Sequence, residues 1–191
     1  MCGRFILDYD FAKIVGFYEQ FIKINNEEDF DYRNGEIFPT DKAIILNKNG
    51  LLSKEWGVKT EYSKGVIFNS RFETMDEKPL FKKYSNENRV IIPTNGFFEW
   101  SLEFEKKKKT KYLIKQDGIL SLAGFLVEYD NKESFVIITI PSNGQMKNIH
   151  HRMPLMLSGD VVKNYLYDTI TNKELLQISN VLSDNLTIIK I

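Results

Sequence analysis

The stretch Arg89-Val90-Ile91-Ile92-Pro93-Thr94-Asn95-Gly96-Phe97-Phe98-Glu99-Trp100-Ser101-Leu102-Glu103 reads as two β-strands, over residues 89–93 and 96–103. β-branched and aromatic residues dominate both runs. In the second, strand alternation puts Phe98, Trp100 and Leu102 on one face and Phe97, Glu99 and Ser101 on the other. Strands continue in both directions. Toward the C-terminus, a charged turn at Lys106–Lys109 leads into a strand over 111–116. Asp117-Gly118 then turns into 119–129, and residues 130–133 turn into 134–140. Toward the N-terminus, runs over 42–47 and 51–58 flank Lys48-Asn49-Gly50, a hairpin with Asn-Gly turn chemistry, and 65–72 is another strand. Helical spacing is confined to the periphery. Phe11, Ile14, Val15, Tyr18 and Phe21/Ile22 predict an amphipathic helix over 10–22, capped by Asp8 or Asp10. A short helix is predicted over 74–84 despite Pro79, with further helices over 159–167 and 172–179. Residues 23–36 read as a polar loop and 186–191 as a closing strand. The pattern predicts one β-dominated α+β domain spanning 1–191, a curved sheet or open barrel with peripheral helices.

Composition agrees. A chain of 191 residues fits one domain. Hydrophobic residues at 42% and charged residues at 27% exclude disorder, collagen and coiled coil, and 13% aromatics promise a sizeable core. Lys+Arg and Asp+Glu are both 26. A protein that coats nucleic acid nonspecifically should be strongly basic, so a polyanion partner must be held by a local patch. No apolar run approaches the ~20 residues that cross a bilayer, and Met1-Cys2-Gly3-Arg4-Phe5 lacks a secretory layout. One cysteine permits no intrachain disulfide, which suits a cytoplasmic location. With only two histidines, adjacent at His150-His151, no zinc site is expected. Neither metal nor cofactor is expected, and a monomer is.

Four segments offer chemistry. Cys2 follows Met1 directly, and a small second residue permits removal of Met1. The chain would then begin with a cysteine carrying both an α-amine and a thiol. An α-amine has a pKa of about 7.7–8.0 against about 10.4 for lysine, so roughly a tenth is the neutral nucleophile at pH 7. Such a 1,2-aminothiol condenses with an aldehyde to a Schiff base, and the neighbouring thiol closes a thiazolidine. Taken alone, the commoner role for such a residue is a small buried hydrophobe. In Asn69-Ser70-Arg71-Phe72-Glu73, alternation lines up an amide, a guanidinium and a carboxylate, although Arg71 beside Glu73 also suits a surface ion pair. Glu99 sits among apolar neighbours, where desolvation raises a carboxyl pKa toward acid/base values, or else on an exposed strand face. His150 and His151 titrate near neutrality. Adjacent residues of an extended chain point to opposite sides, which predicts that only one faces a substrate. The lysine run is a solvated hairpin tip.

Taken in register, Met1-Cys2-Gly3-Arg4-Phe5, Asn69-Ser70-Arg71-Phe72-Glu73-Thr74, Pro93 to Trp100, Leu122-Ala123-Gly124-Phe125 and Ile149-His150-His151-Arg152-Met153-Pro154 resemble the SOS-response-associated peptidase (SRAP) domain family over nearly the whole chain. The resemblance implies a compact β-rich domain whose positively charged groove meets the N-terminus and takes abasic sites in single-stranded DNA. After loss of Met1, the Cys2 amine attacks the ring-opened sugar aldehyde and the thiol closes a thiazolidine crosslink. The family also implies a thiol autopeptidase activity that removes the residue before the cysteine. Carried over by position, Cys2 is the nucleophile, Asn69 holds the N-terminal residue, Glu99 positions the amine and moves protons, and His150 assists ring opening. Arg4 and Arg71 are the expected phosphate contacts, and Pro39 matches a family proline near the DNA groove. The chain departs from the family pattern in two places. His151 stands where an acidic residue is usual, and residues 58–64 are short, with Tyr62 their only aromatic residue. Two other readings of the same residues are an N-terminal-nucleophile hydrolase using a Cys2 thiolate, and a non-covalent single-stranded DNA-binding module.

Overall fold

The computed structural model describes residues 2–24, 30–85, 87–103 and 108–191. In chain order these form β1 (Phe5–Leu7), α1 (Phe11–Tyr18), β2 (Gly35–Ile37), β3 (Lys42–Asn47), β4 (Gly50–Trp56), β5 (Asn69–Arg71), α2 (Pro79–Lys82), β6 (Arg89–Glu103), β7 (Lys108–Tyr129), β8 (Lys132–Pro141), β9 (Arg152–Pro154), β10 (Met156–Leu157), α3 (Gly159–Leu166), α4 (Asn172–Asp184) and β11 (Thr187–Lys190), with 3-10 turns at Phe72–Thr74 and Gly144–Asn148. All the strands belong to one sheet. Its run β7-β8-β4-β3-β6 closes because β6 also pairs with β7, making a five-stranded barrel. The sheet predicted from alternation is therefore present, and it is closed rather than open. Closure removes the free edges that an open sheet would expose.

The two strands predicted over 89–103 are one. So are those predicted over 111–116 and 119–129, since Asp117-Gly118 makes no hairpin. Instead the β6–β7 register jumps: Thr94 faces Leu120 while Gly96 faces Lys115. Residues 116–119 thus bulge opposite Asn95, with Gly118 at φ +80. Such an irregularity bends the ladder. One half of the hairpin stays in the barrel wall, and the other carries β1 on β6 and β11 on β7. Gly96 lies at the bend, where a Cβ would sit 2.5 Å from the Ile114 carbonyl oxygen.

Other boundaries moved for local reasons. The helix expected over 10–22 stops at Tyr18; Asp10 caps it by accepting from the Lys13 N–H at 2.7 Å, whereas the Asp8 N–H donates to Asn95 Oδ1. The strand expected over 65–72 narrows to Asn69–Arg71, followed by a 3-10 turn. The helix over 74–84 shrinks to Pro79–Lys82, with proline in its first turn, where a missing N–H is harmless. Residues 172–179 extend to Asp184 behind a capping box of Thr171 and Glu174. The polar loop predicted over 23–36 contains the start of β2, which pairs with β1. β1, β9 and β10, none of them predicted, are too short for alternation to show. Of the predicted lysine turn, residues 106 and 107 lie outside the described residues.

Trp56 anchors the barrel interior. Its ring packs on Phe5 at 5.0 Å and parallel to Phe135 at 6.4 Å, and its Nε1–H donates to the Phe68 carbonyl at 2.9 Å. These contacts tie β1, β4, β8 and the approach to β5 together at one end of the barrel. Among the described residues no helix is long and apolar enough to cross a membrane.

Candidate active site

Four segments distant in sequence converge where β1, β5, β6 and the start of β9 meet. Cys2 precedes β1 and is fully buried. Asn69 opens β5, and its Nδ2 donates to the Cys2 carbonyl at 2.7 Å. The other amide atom, Oδ1, is buried with no hydrogen-bond partner among the described residues, an acceptor for an N–H placed beside it. Asn69 holds this position because β5 runs parallel to β8, with Asn69 opposite Ile137.

Glu99 shares the inward face of β6 with Phe97, the buried one of the two settings left open by alternation, and is only 2% exposed. Burial pushes its carboxyl pKa up. Burial also pushes the Cys2 thiol up, and the Glu99 charge adds to that shift, so the two groups feel one another directly. At neutral pH Cys2 is a thiol, not a preformed thiolate. His150 Nδ1 lies 4.0 Å from Glu99 Oε1 and sits between the backbone nitrogen of Arg152 at 3.0 Å and its carbonyl oxygen at 3.1 Å. Burial holds the His150 pKa below its ordinary value.

The expectation that the two histidines face opposite sides is corrected. The 3-10 turn over Gly144–Asn148 ends at Ile149 in a helical conformation, so the chain is not extended there. The imidazole rings stack instead, 4.4 Å apart and inclined by 28°. His151 is exposed, and desolvation, then His150, lowers its pKa.

The remaining candidates are distributed around this centre. Arg71 is exposed on β5, close enough to His151 to influence its titration. Glu73 does not form the surface pair with Arg71 that adjacency suggested. Its two carboxylate oxygens accept from Arg152, one from Nη1 at 2.6 Å and the other from Nη2 at 2.9 Å. Arg4 is already engaged, donating to Glu36 at 3.1 Å with its guanidinium 4.3 Å from the Phe38 ring. Pro39 is half-buried in the turn after β2, where Thr40 takes φ +82 and the Asp41 carboxylate accepts from the Phe38 N–H. Pro39 thus follows directly on Phe38, whose ring lies under the Arg4 guanidinium. Among the described residues no group of three His, Cys, Asp or Glu could hold a metal. Sequence reasoning missed Arg152 and Lys111. Arg152 sits in a quoted motif, but its partner is 79 residues away, beyond any local pattern.

A sequence model of the family described as SOS response associated peptidase (SRAP) matches residues 1–191. "Abasic site processing protein YoqW" of Bacillus subtilis is 29% identical, over 93% of this chain and 85% of that protein. "Abasic site processing protein YedK" of Escherichia coli is 27% identical, over 94% of this chain and 85% of that protein. Among solved structures, a Bacteroides thetaiotaomicron protein superposes with a TM-score of 0.78 at 20% identity, over all of this chain and 92% of its own.

Proposed function

The chain belongs to the SOS response associated peptidase (SRAP) family, and from that premise we propose that it recognises abasic sites in single-stranded DNA and captures them covalently through Cys2. The relatives' names support abasic-site processing. The observation that carries the covalent step is the convergence of Cys2, Asn69, Glu99 and His150 from separate segments onto one buried point.

The chemistry follows from the groups. Removal of Met1 turns the Cys2 nitrogen into an α-amine. His150 assists opening of the abasic sugar, which frees its C1 aldehyde. The amine attacks C1, forming a C–N bond and a carbinolamine. Loss of one water gives the imine. Sγ then adds to C1 while its proton passes to nitrogen, closing the five-membered ring. Glu99 suits the proton transfers of the middle steps, because burial leaves its carboxyl readier to hold a proton than an exposed glutamate. Asn69 fixes Cys2 through its carbonyl and presents Oδ1 to the new amine. Arg71, exposed beside the site, is a phosphate contact. Localisation in the cytoplasm and action as a monomer accompany this reading.

Self-removal of Met1 is a second activity consistent with the family, with the thiol attacking the preceding carbonyl. The raised thiol pKa favours amine-first capture over a general thiolate hydrolase, because amine attack needs no thiolate.

The test is intact mass after incubation with a short abasic strand. An adduct equal to protein plus strand minus one water, stable to heat and absent in Cys2→Ala, is expected. A heat-stable adduct in Cys2→Ala, without borohydride, would overturn the thiazolidine. Turnover of a peptide in the absence of DNA would instead favour the hydrolase.

A further inference from the structure

The sheet continues past the Cys2 centre in the order β7-β6-β1-β2. Cross-strand pairing brings Trp100 opposite Lys111 and Ile6 opposite Glu36, while the Phe98 N–H donates to the Arg4 carbonyl. Alternation therefore gathers Arg4, Glu36, Phe98, Trp100 and Lys111 on the face opposite Glu99.

One carboxylate oxygen there serves two cations. Glu36 Oε1 accepts from Arg4 Nη1 at 3.1 Å and from Lys111 Nζ at 2.8 Å. Both cations lie over aromatic rings: Arg4 is 4.3 Å from the Phe38 centroid and 5.0 Å from that of Trp100, and Lys111 is 4.0 Å from that of Phe98. The three charged side chains are 25–31% exposed, open to solvent yet held in place from beneath. Partial burial pushes the Glu36 carboxyl up, but the hydrogen bonds from Lys111 and Arg4 outweigh it and lower the pKa. Glu36 is thus ionised at neutral pH, and the cluster keeps one net positive charge.

A solvent-accessible ion pair contributes little to stability, so this carboxylate is an exchangeable partner. A phosphodiester offers two oxygens to the same two donors, and Arg4 is only two residues from Cys2. We propose that Arg4 and Lys111 form one seat for a DNA phosphate near the N-terminal end of β1, with Glu36 as the internal counter-ion that the phosphate displaces. The seat rests on the single-stranded DNA reading above. It assigns Lys111 to the DNA surface and gives Glu36 the task of limiting affinity for strands that Cys2 cannot capture.

The test is non-covalent binding of an intact single strand across a salt series. Lys111→Ala should flatten the log–log salt slope by about 0.7, the value of one single-strand phosphate contact, and Lys111→Arg should restore it. Glu36→Gln should tighten binding at low salt by about fivefold. Lys132→Ala, whose ammonium pairs with Glu55 elsewhere, serves as a charge-matched control and should behave as wild type. An unchanged slope in Lys111→Ala, or unchanged or weaker binding in Glu36→Gln, would overturn the seat; should Lys111→Ala fail to fold, Lys111→Gln takes its place. A wild-type chain that crosslinks an abasic strand while Lys111→Ala keeps its slope refutes the seat alone. A wild-type chain that neither binds nor crosslinks refutes the parent reading.

Discussion

Arg152 holds both oxygens of Glu73 through Nη1 and Nη2 while its own backbone nitrogen and carbonyl oxygen lie 3.0 and 3.1 Å from His150 Nδ1. Arg152 is 6% exposed, and Nη2 also donates to the Thr139 carbonyl. The imidazole is therefore oriented by a residue that is itself clamped from β8 and from the turn after β5.

Glu73→Gln should leave the buried guanidinium half-satisfied and destabilise the fold by about 1–2 kcal/mol, discounted because the glutamate is partly exposed. The hydrogen bonds from Arg152 hold the Glu73 pKa below its ordinary value. A depressed carboxylate stabilises the folded state above its unfolded pKa, and that stability is lost as pH falls through the folded value. Thermal melts of wild type and Glu73→Gln should thus converge as pH drops below about 4. Parallel curves throughout would mean the pair contributes no pH-linked stability.

The stacked histidines carry a second prediction. Two imidazolium rings in contact repel, so charging one disfavours charging the other. His151→Asp should raise the His150 pKa and move the acid limb of the crosslinking-rate profile to higher pH. His150→Ala should slow crosslinking at saturating abasic strand by up to about 10²–10⁴-fold, and less for a reactive aldehyde. A normal His150→Ala beside a slow His151→Ala would exchange their roles. Because burial lowers the His150 pKa, the folded state resists its protonation, and this group should lower stability as pH falls below its ordinary value near 6.5. NMR titration of the two imidazoles reports both effects.

Cys2 is the sole cysteine and fully buried. A chain that retains Met1 should resist iodoacetamide under native conditions and take up one equivalent in urea, read by intact mass. Processing of Met1 should raise the native alkylation rate, because the site must then admit an aldehyde. Rapid native alkylation of the unprocessed chain would contradict the buried thiol.

Gly124 tests the barrel wall. A Cβ there would lie 2.4 Å from the Val136 carbonyl oxygen and 2.7 Å from Ile92 Cδ1, and the Gly124 carbonyl accepts from the Tyr165 hydroxyl at 2.8 Å. Gly124→Ala should cost about 1–3 kcal/mol by overpacking, measured by denaturant unfolding. Gly16→Ala, on the helix α1 with open space around its Cα, should instead be neutral or stabilising.

The strand-rich fold class and the Asn-Gly hairpin between β3 and β4 were legible in the chain, and short motifs that resemble the family singled out Cys2, Asn69, Glu99 and His150. Each is a local matter of alternation, turn chemistry or short motif, which nearest neighbours settle. Tertiary structure decided the rest. Barrel closure depends on β6 pairing at both of its edges. The bulge opposite Asn95 turned an expected hairpin at Asp117-Gly118 into continuous strand. Glu73 found Arg152 rather than Arg71, because a bidentate partner on another strand outcompetes an exposed neighbour. The histidines stacked because a 3-10 turn broke the extended backbone that alternation assumes. Arg4 met Glu36 and Lys111 only because β1, β2 and β7 flank β6. Such partnerships join residues far apart in sequence, and local patterns carry no term for them.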